Sequence, residues 1–360
     1  MSTFNRRNFL KTSLMGGVAV TYYNPFKAIA PVWDSENQNT RVSLTSGDNR
    51  ADLAFRALQP FSKQIKHAIG NRRVVIKPNN VLIYVPLACT HVDTLEGVLE
   101  FLKSINKLQN VVIAESSASG STLAVFENYG YFRLASKYPV KLVDLDKEPF
   151  DVMHVLDEKY FRPNAVRVSR ILLDPNSYII SVARMKTHTS VVASLSLKNI
   201  VFGAPIKDLW FTLYSEDKRF TSAAIETKPG TVSYKRLLHG GGVHGTNYNI
   251  YALAQQLHPH ISLIDGFEGM EGNGPTAGTP IDHRVCVVSQ DWLAADRVWI
   301  ELMGIDFAKV GYLNFCAQAG LGIADLNKIE IVGENLIDHI KTYKLPDNID
   351  KLLIWMKPIS

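Results

Sequence analysis

The chain has 360 residues, 46% of them apolar, a formal charge of +5 and three cysteines. That length and apolar content can bury a large core and read as a soluble globular protein. Cys89, Cys286 and Cys316 lie far apart with no Cys-x-x-Cys pair, which excludes the usual iron–sulfur and structural zinc sites; all three are expected to be buried fillers.

Phe4-Asn5-Arg6-Arg7-Asn8-Phe9-Leu10-Lys11 opens the chain, and a mildly apolar stretch follows to Tyr23. This matches a twin-arginine export signal over residues 1–30, with Asn5 where Ser or Thr is usual. The alternative is a basic, unstructured N-terminus. The apolar stretch is shorter than the about 20 residues of a membrane span. Ala28-Ile29-Ala30 has the small-x-small form of a cleavage site, but Pro31 follows. Cleavage after Ala30 and an uncleaved membrane tether both stay open. Arg6, Arg7, Lys11 and Lys27 meet no acid within residues 1–30, so the rest of the chain carries about +1. That balance is no argument for a nucleic-acid surface. The expected location is periplasmic or membrane-tethered, with the twin-arginine machinery as partner.

Residues 31–41 read as a linker, 42–345 as the folded domain and 346–360 as a tail. Strands are expected at Arg73–Lys77, Val111–Ala114, Val140–Leu145, Tyr178–Val182, Ile261–Ile264, Val285–Val288 and Ile329–Val332. Helices are expected at Leu95–Leu102, Ser190–Val201, Ala252–Leu257 and Trp292–Met303, the last capped by Asp291. Apolar strands separated by helices predict an α/β fold with a mainly parallel sheet covered by helices, possible division into two lobes, and a cleft at the strand carboxyl ends. Lys207–Gly242, rich in aromatic and charged residues, reads as an insertion or lid.

Chemistry-bearing residues gather at the expected strand ends. Lys186 and His188 follow the most apolar strand, and Lys198 and Asn199 sit on the next expected helix. That helix, starting near Thr189 and Ser190, would add N–H donors for an anion. A solvated loop with a capping threonine is the alternative. Asp265, Glu268 and Glu271 are set among Gly266, Gly269 and Gly272, read here as a loop. Such oxygen donors suit Mg²⁺, Ca²⁺ or Mn²⁺; the alternative is a tight turn with solvated acids. Lys77 with Asn79 and Asn80, and Glu115 with Ser116, are lesser strand-tip groups. Pro275 and the lack of a following helix rule out a dinucleotide loop in Gly272–Gly278, and no Walker-type loop exists. His239-Gly240-Gly241-Gly242 spells a lipase-type oxyanion loop, but no Gly-x-Ser-x-Gly elbow accompanies it; a mobile cleft edge is expected there instead. His258-Pro259-His260 precedes its strand and so falls on the opposite edge.

Lys77-Pro78-Asn79, Lys186-Thr187-His188, Lys198-Asn199 with Gly203, Asp265-Gly266, Met270-Glu271-Gly272-Asn273-Gly274-Pro275 with Gly278, Asp291 with Ala295-Asp296, and Met303-Gly304 together resemble the domain-of-unknown-function 362 family, from about Val42 to Glu334. The resemblance implies the fold and the place of the site. Some relatives carry an added iron–sulfur domain, for which this chain lacks cysteines.

The expected function is an exported enzyme acting on a small anionic substrate, with a divalent metal as an optional cofactor. Lys186, His188 and Glu271 are the catalytic candidates. Lys77, Asn79, Lys198, Asn199 and Asn273 are the substrate-binding candidates, and Asp265, Glu268 and Glu271 the metal ligands. A periplasmic binding or sensory module for an anionic ligand is the alternative.

Overall fold

Eleven strands alternate with helices in the computed structural model, which describes residues 40–118, 120–208 and 232–357. The strands are β1 (Thr40–Ser46), β2 (Arg73–Lys77), β3 (Val111–Glu115), β4 (Val140–Asp144), β5 (Phe150–Asp157), β6 (Arg162–Ser169), β7 (Ser177–His188), β8 (Val192–Ser194), β9 (Ile261–Asn273), β10 (Ala277–Ser289) and β11 (Ile329–Gly333). Nine form one sheet in the order β11-β1-β10-β9-β7-β2-β3-β4, with β8 paired to β7 off that path. The pairs β9–β7, β7–β2, β2–β3, β3–β4 and β1–β11 are parallel. Only β10 and β8 run against their neighbours. β5 and β6 form a separate antiparallel ribbon. The chain is therefore α/β, with a mostly parallel mixed sheet flanked by helices.

Alternating side chains feed two cores. Val74 and Ile76 of β2 pack on one face with the helices Arg50–Leu58, Ser62–Ile69 and Val92–Ser104. Val75 packs on the other with Ser196–Gly203, Val243–Ala254, Trp292–Leu302 and Gly311–Gln318. A strand buried on both faces is what a continuous β-branched run encodes, each such side chain contributing about 1.5–3 kcal/mol. Short polar residues start the helices. Asn49 accepts from Asp52 N, and Asp291 accepts from Leu293 N and Ala294 N, as expected of its cap. The three cysteines are buried and free.

Three sequence expectations change. The acidic, glycine-rich segment 265–275 is not a loop: β9 runs on through it to Asn273 and returns as β10. Its glycines serve close packing, since a Cβ at Gly266 would enter the Trp299 ring and one at Gly269 would meet Met185 Cε. The helix expected at Ser190–Val201 is a short strand, β8, followed by the helix Ser196–Gly203. The folded body also reaches past both expected boundaries. Thr40 and Arg41 belong to β1, and the expected tail packs against the core through Leu352 and through Trp355, whose ring lies 5.4 Å from that of Phe315.

The segment 1–30 read as an export signal, residues 31–39, positions 209–231 of the expected insertion and the last three residues lie outside the described residues. Within the expected insertion, the residues on either side of positions 209–231 meet: Asp208 N donates to Val232 O at 2.9 Å. Among the described residues no helix is long and apolar enough to cross a membrane.

Candidate functional site

Parallel neighbours end on the same edge of a sheet, so β2, β3 and β7 deliver Lys77, Glu115, Lys186 and His188 together. Lys77 pairs with Ser181, and β7 continues to His188 beyond that point. Lys186 and His188 are two apart and so share a face. The returning β8 leads into the Ser196–Gly203 helix, which adds Lys198, Asn199 and Phe202. The far limb of the insertion adds Ser233, Lys235, Arg236 and His239. These groups line a cavity of about 360 Å³, within the size range of small-molecule sites.

Lys77 and Glu115 form a fully buried ion pair at 2.6 Å. Burial lowers Lys77 and raises Glu115, and each charge opposes the other's shift. Asn80 N and Ser116 N also donate to the Glu115 oxygens, at 3.0 and 2.8 Å, and so favour its carboxylate form. Asn199 braces the pair: its Nδ2 donates to Lys77 O and Ser181 Oγ, both at 3.0 Å. Gly203 is required here because a Cβ would collide with Lys77 Nζ.

Lys186 donates to Asn79 Oδ1 and, at 3.0 Å, to Ala88 O. Lys198 Nζ lies 3.1 Å from His188 Nε2 and 4.0 Å from the centre of the Phe202 ring. Burial pushes Lys186 and Lys198 each down to about 7. Burial, then the charge of Lys198, holds His188 well below its usual value and His239 at about 4.

The helix carrying Lys198 and Asn199 is gripped at both ends. Asp296, fully buried on the Trp292–Leu302 helix, accepts from Ser196 N and Leu197 N at 2.9 and 3.1 Å. Lys235 donates to the carbonyls of Phe202, Gly203 and Pro205 at 3.1, 3.1 and 2.6 Å. An acid at the N-terminus and a cation at the C-terminus complement the helix dipole. Burial lifts Asp296 to about 7 and lowers Lys235 to about 7, while the three carbonyls favour the lysine's charged form.

Six of the sequence-derived site residues therefore meet in one cavity: Lys77, Asn79, Lys186, His188, Lys198 and Asn199. The acidic candidates do not join them. Asp265 is paired with Arg50 at 3.4 Å and accepts from Thr94 Oγ1 at 2.6 Å. Glu268 is paired with Arg184 at 2.6 Å. Glu271 accepts from Lys344 N at 2.9 Å, and Asn273 exchanges hydrogen bonds with Asp347. Both tie the C-terminal segment to the hairpin. On a strand, side chains three apart point to opposite faces, and those six apart lie about 20 Å from one another. Three carboxylates at that spacing cannot close on one ion, and among the described residues no three His, Cys, Asp or Glu side chains gather as a metal site. The anion-binding helix N-terminus expected at Thr189 and Ser190 is also absent, and Ser190 N donates instead to His188 Nδ1 at 3.0 Å.

Lys235 was missed, and His239 was noted only for its glycines. Both come from a segment without periodicity, and only the pairing of Lys207 and Asp208 with Val232 and Ser233 places them. The glycines after His239 are pinned to the β5–β6 ribbon by a Glu158 N to Gly240 O bond of 2.7 Å. His260 is on the far edge, as expected, with Nδ1 accepting from Ile179 N.

The model of the family described as Domain of unknown function (DUF362) matches residues 74–301, which span nearly all of these residues. The chain is 24% identical to the "Thylakoid-associated protein sll1697" of Synechocystis sp. over 271 residues, 74% of this chain and 73% of that protein. A crystal structure of a Thermotoga maritima protein overlaps 66% of this chain at 13% identity and a TM-score of 0.37; the match spans 55% of that chain.

Proposed function

We propose that this chain, which belongs to the family described as Domain of unknown function (DUF362), is an exported enzyme that binds a small carboxylate or phosphate among its buried cations and moves a proton on it. One observation carries the reading. Among the described residues, Lys186, Lys198, Lys235 and His188 line a cavity whose one acidic side chain, Glu115, is already spent on Lys77. Such a cavity is short of negative charge, and an anionic ligand supplies it at little desolvation cost to the protein. Lys186 and Asn79 anchor the anion, while Lys198, lowered by burial to about 7, exchanges a proton near neutral pH. Export rests on the Arg6-Arg7 segment. No step in this reading calls on Asp265, Glu268 or Glu271.

Thermal melts of the full chain with oxalate and with inorganic phosphate, beside NMR of pyruvate in D₂O, test it. The expected result is a rise in Tm with one of the anions, lost in Lys186→Met, and deuterium entering the pyruvate methyl group. Stabilisation by anions with no exchange favours a ligand-binding module. No stabilisation by either anion sinks the reading.

A further inference from the structure

The tautomer of His188 fixes the protonation state of Lys198. The backbone N–H of Ser190 points at His188 Nδ1 at 3.0 Å. A backbone donor cannot turn away, so Nδ1 keeps its lone pair and the neutral ring carries its proton on Nε2. Nε2 in turn faces Lys198 Nζ at 3.1 Å. A ring N–H there needs an acceptor, and an ammonium group offers none. Lys198 is therefore the free amine, its lone pair accepting from His188. The Phe202 ring beneath Nζ, 4.0 Å away, favours an ammonium by cation–π attraction. Opposing two buried donors costs more, because each also loses its partner.

The other three lysines of the cavity are held differently. Lys77 is paired with a carboxylate. Lys235 spends three N–H donors on three carbonyls, which needs the ammonium form. Lys186 faces two oxygen acceptors. Lys198 alone among them faces a donor. It combines a free amine, a wall position in the cavity and an apolar ring alongside. A buried neutral amine is the nucleophile that carbonyl carbons trap, and the cations around it call for a carboxylate on the same small molecule.

We propose that Lys198 attacks the carbonyl carbon of a small 2-oxo acid and forms an imine with it. The Nζ lone pair makes the C–N bond, and the carbonyl π pair moves onto oxygen. That oxygen takes up both amine protons and leaves as water, with nothing oxidised or reduced. Lys186 and Asn79 hold the adjacent carboxylate. Burial, which lowers Lys198 to about 7, acts in the same direction as the hydrogen-bond argument.

The inference rests on the anion-site reading above, and its test separates the two. The full chain is incubated with pyruvate and sodium cyanoborohydride, whose hydride reduces an imine to a stable secondary amine, and its peptides are mapped by mass spectrometry. Melts with oxalate, which has two carboxylates but no ketone, are run in parallel. The expected result is one reduced pyruvyl adduct on Lys198. It is at least tenfold weaker when oxalate is present or in Lys186→Met, and absent in Lys198→Arg and Lys198→Gln variants that still melt cooperatively. An oxalate-induced rise in Tm without an adduct overturns the imine and leaves the anion site standing. An adduct on Lys186, or one spread over surface lysines, also overturns it. Neither shift nor adduct removes both ideas.

Discussion

Lys198 and His188 show how one backbone hydrogen bond sets side-chain chemistry. Ser190 N fixes the imidazole, and the imidazole fixes the amine. A lysine whose folded pKa is about 7, against 10.5 for the free side chain, binds its proton less tightly in the fold than in the unfolded chain. Its penalty is absent above 10.5 and grows as the pH falls towards 7, by up to about 1.4 kcal/mol per pH unit. Urea titrations are therefore expected to show stability rising from pH 7 towards 10, with a shallower rise in Lys198→Met. The buried Lys77–Glu115 pair gives a second outcome. Glu115→Gln leaves an uncompensated ammonium and should cost about 3–5 kcal/mol, read as a lower urea midpoint. The double change Lys77→Met with Glu115→Leu should recover most of that loss. The polar identities of Lys77, Lys186, His188, Lys198 and Asn199 were legible in the chain. The Ser190 bond that sets the state of one of them was not, because it depends on a turn the sequence read as a helix start.

At the level of elements, the Ser196–Gly203 helix is a small carrier held by longer ones. Asp296 caps its start from the Trp292–Leu302 helix, and Lys235 caps its end from across the insertion. Lys235→Met removes three hydrogen bonds from carbonyls at a buried helix end. It is expected to cost about 2–3 kcal/mol in chemical denaturation and to weaken the oxalate shift in Tm. The β9–β10 hairpin is the element the sequence misread. Gly266, Gly269 and Gly272 argued for a loop because glycine disfavours regular structure. Gly266 and Gly269 instead let the strand pass against Trp299 and Met185, a requirement imposed by residues 33 and 84 positions away in the chain. Only Gly272, at φ +75°, uses the freedom that composition suggested. The carboxylates between them became partners of Arg50, Arg184 and Lys344 N rather than a cluster.

For the whole molecule, strand order decides where the polar residues meet. β7 lies between β9 and β2, so the carboxyl ends of β7, β2 and β3 open on one cavity, to which the β9–β10 hairpin adds only Pro275 among the described residues. The C-terminal segment belongs to the same body. A chain ending at Leu345 loses buried Leu352, the Trp355–Phe315 contact and the 2.9 Å bond from Asn348 Nδ2 to Thr189 O. Calorimetry of that truncation is expected to show a loss of at least about 3 kcal/mol, the scale of deleting one buried large side chain.

The sequence by itself determined the α/β class, most central strands, the family and six residues of the site, because runs of buried β-branched residues and polar strand ends are local signals. Tertiary structure alone decided that the acids of β9 stay apart, that Lys235 and His239 join the cavity, and that Lys198 faces a ring nitrogen of His188. Each of these depends on which distant donor, acceptor or wall comes to lie beside a group, and pairing across a sheet is set by topology rather than by spacing along the chain.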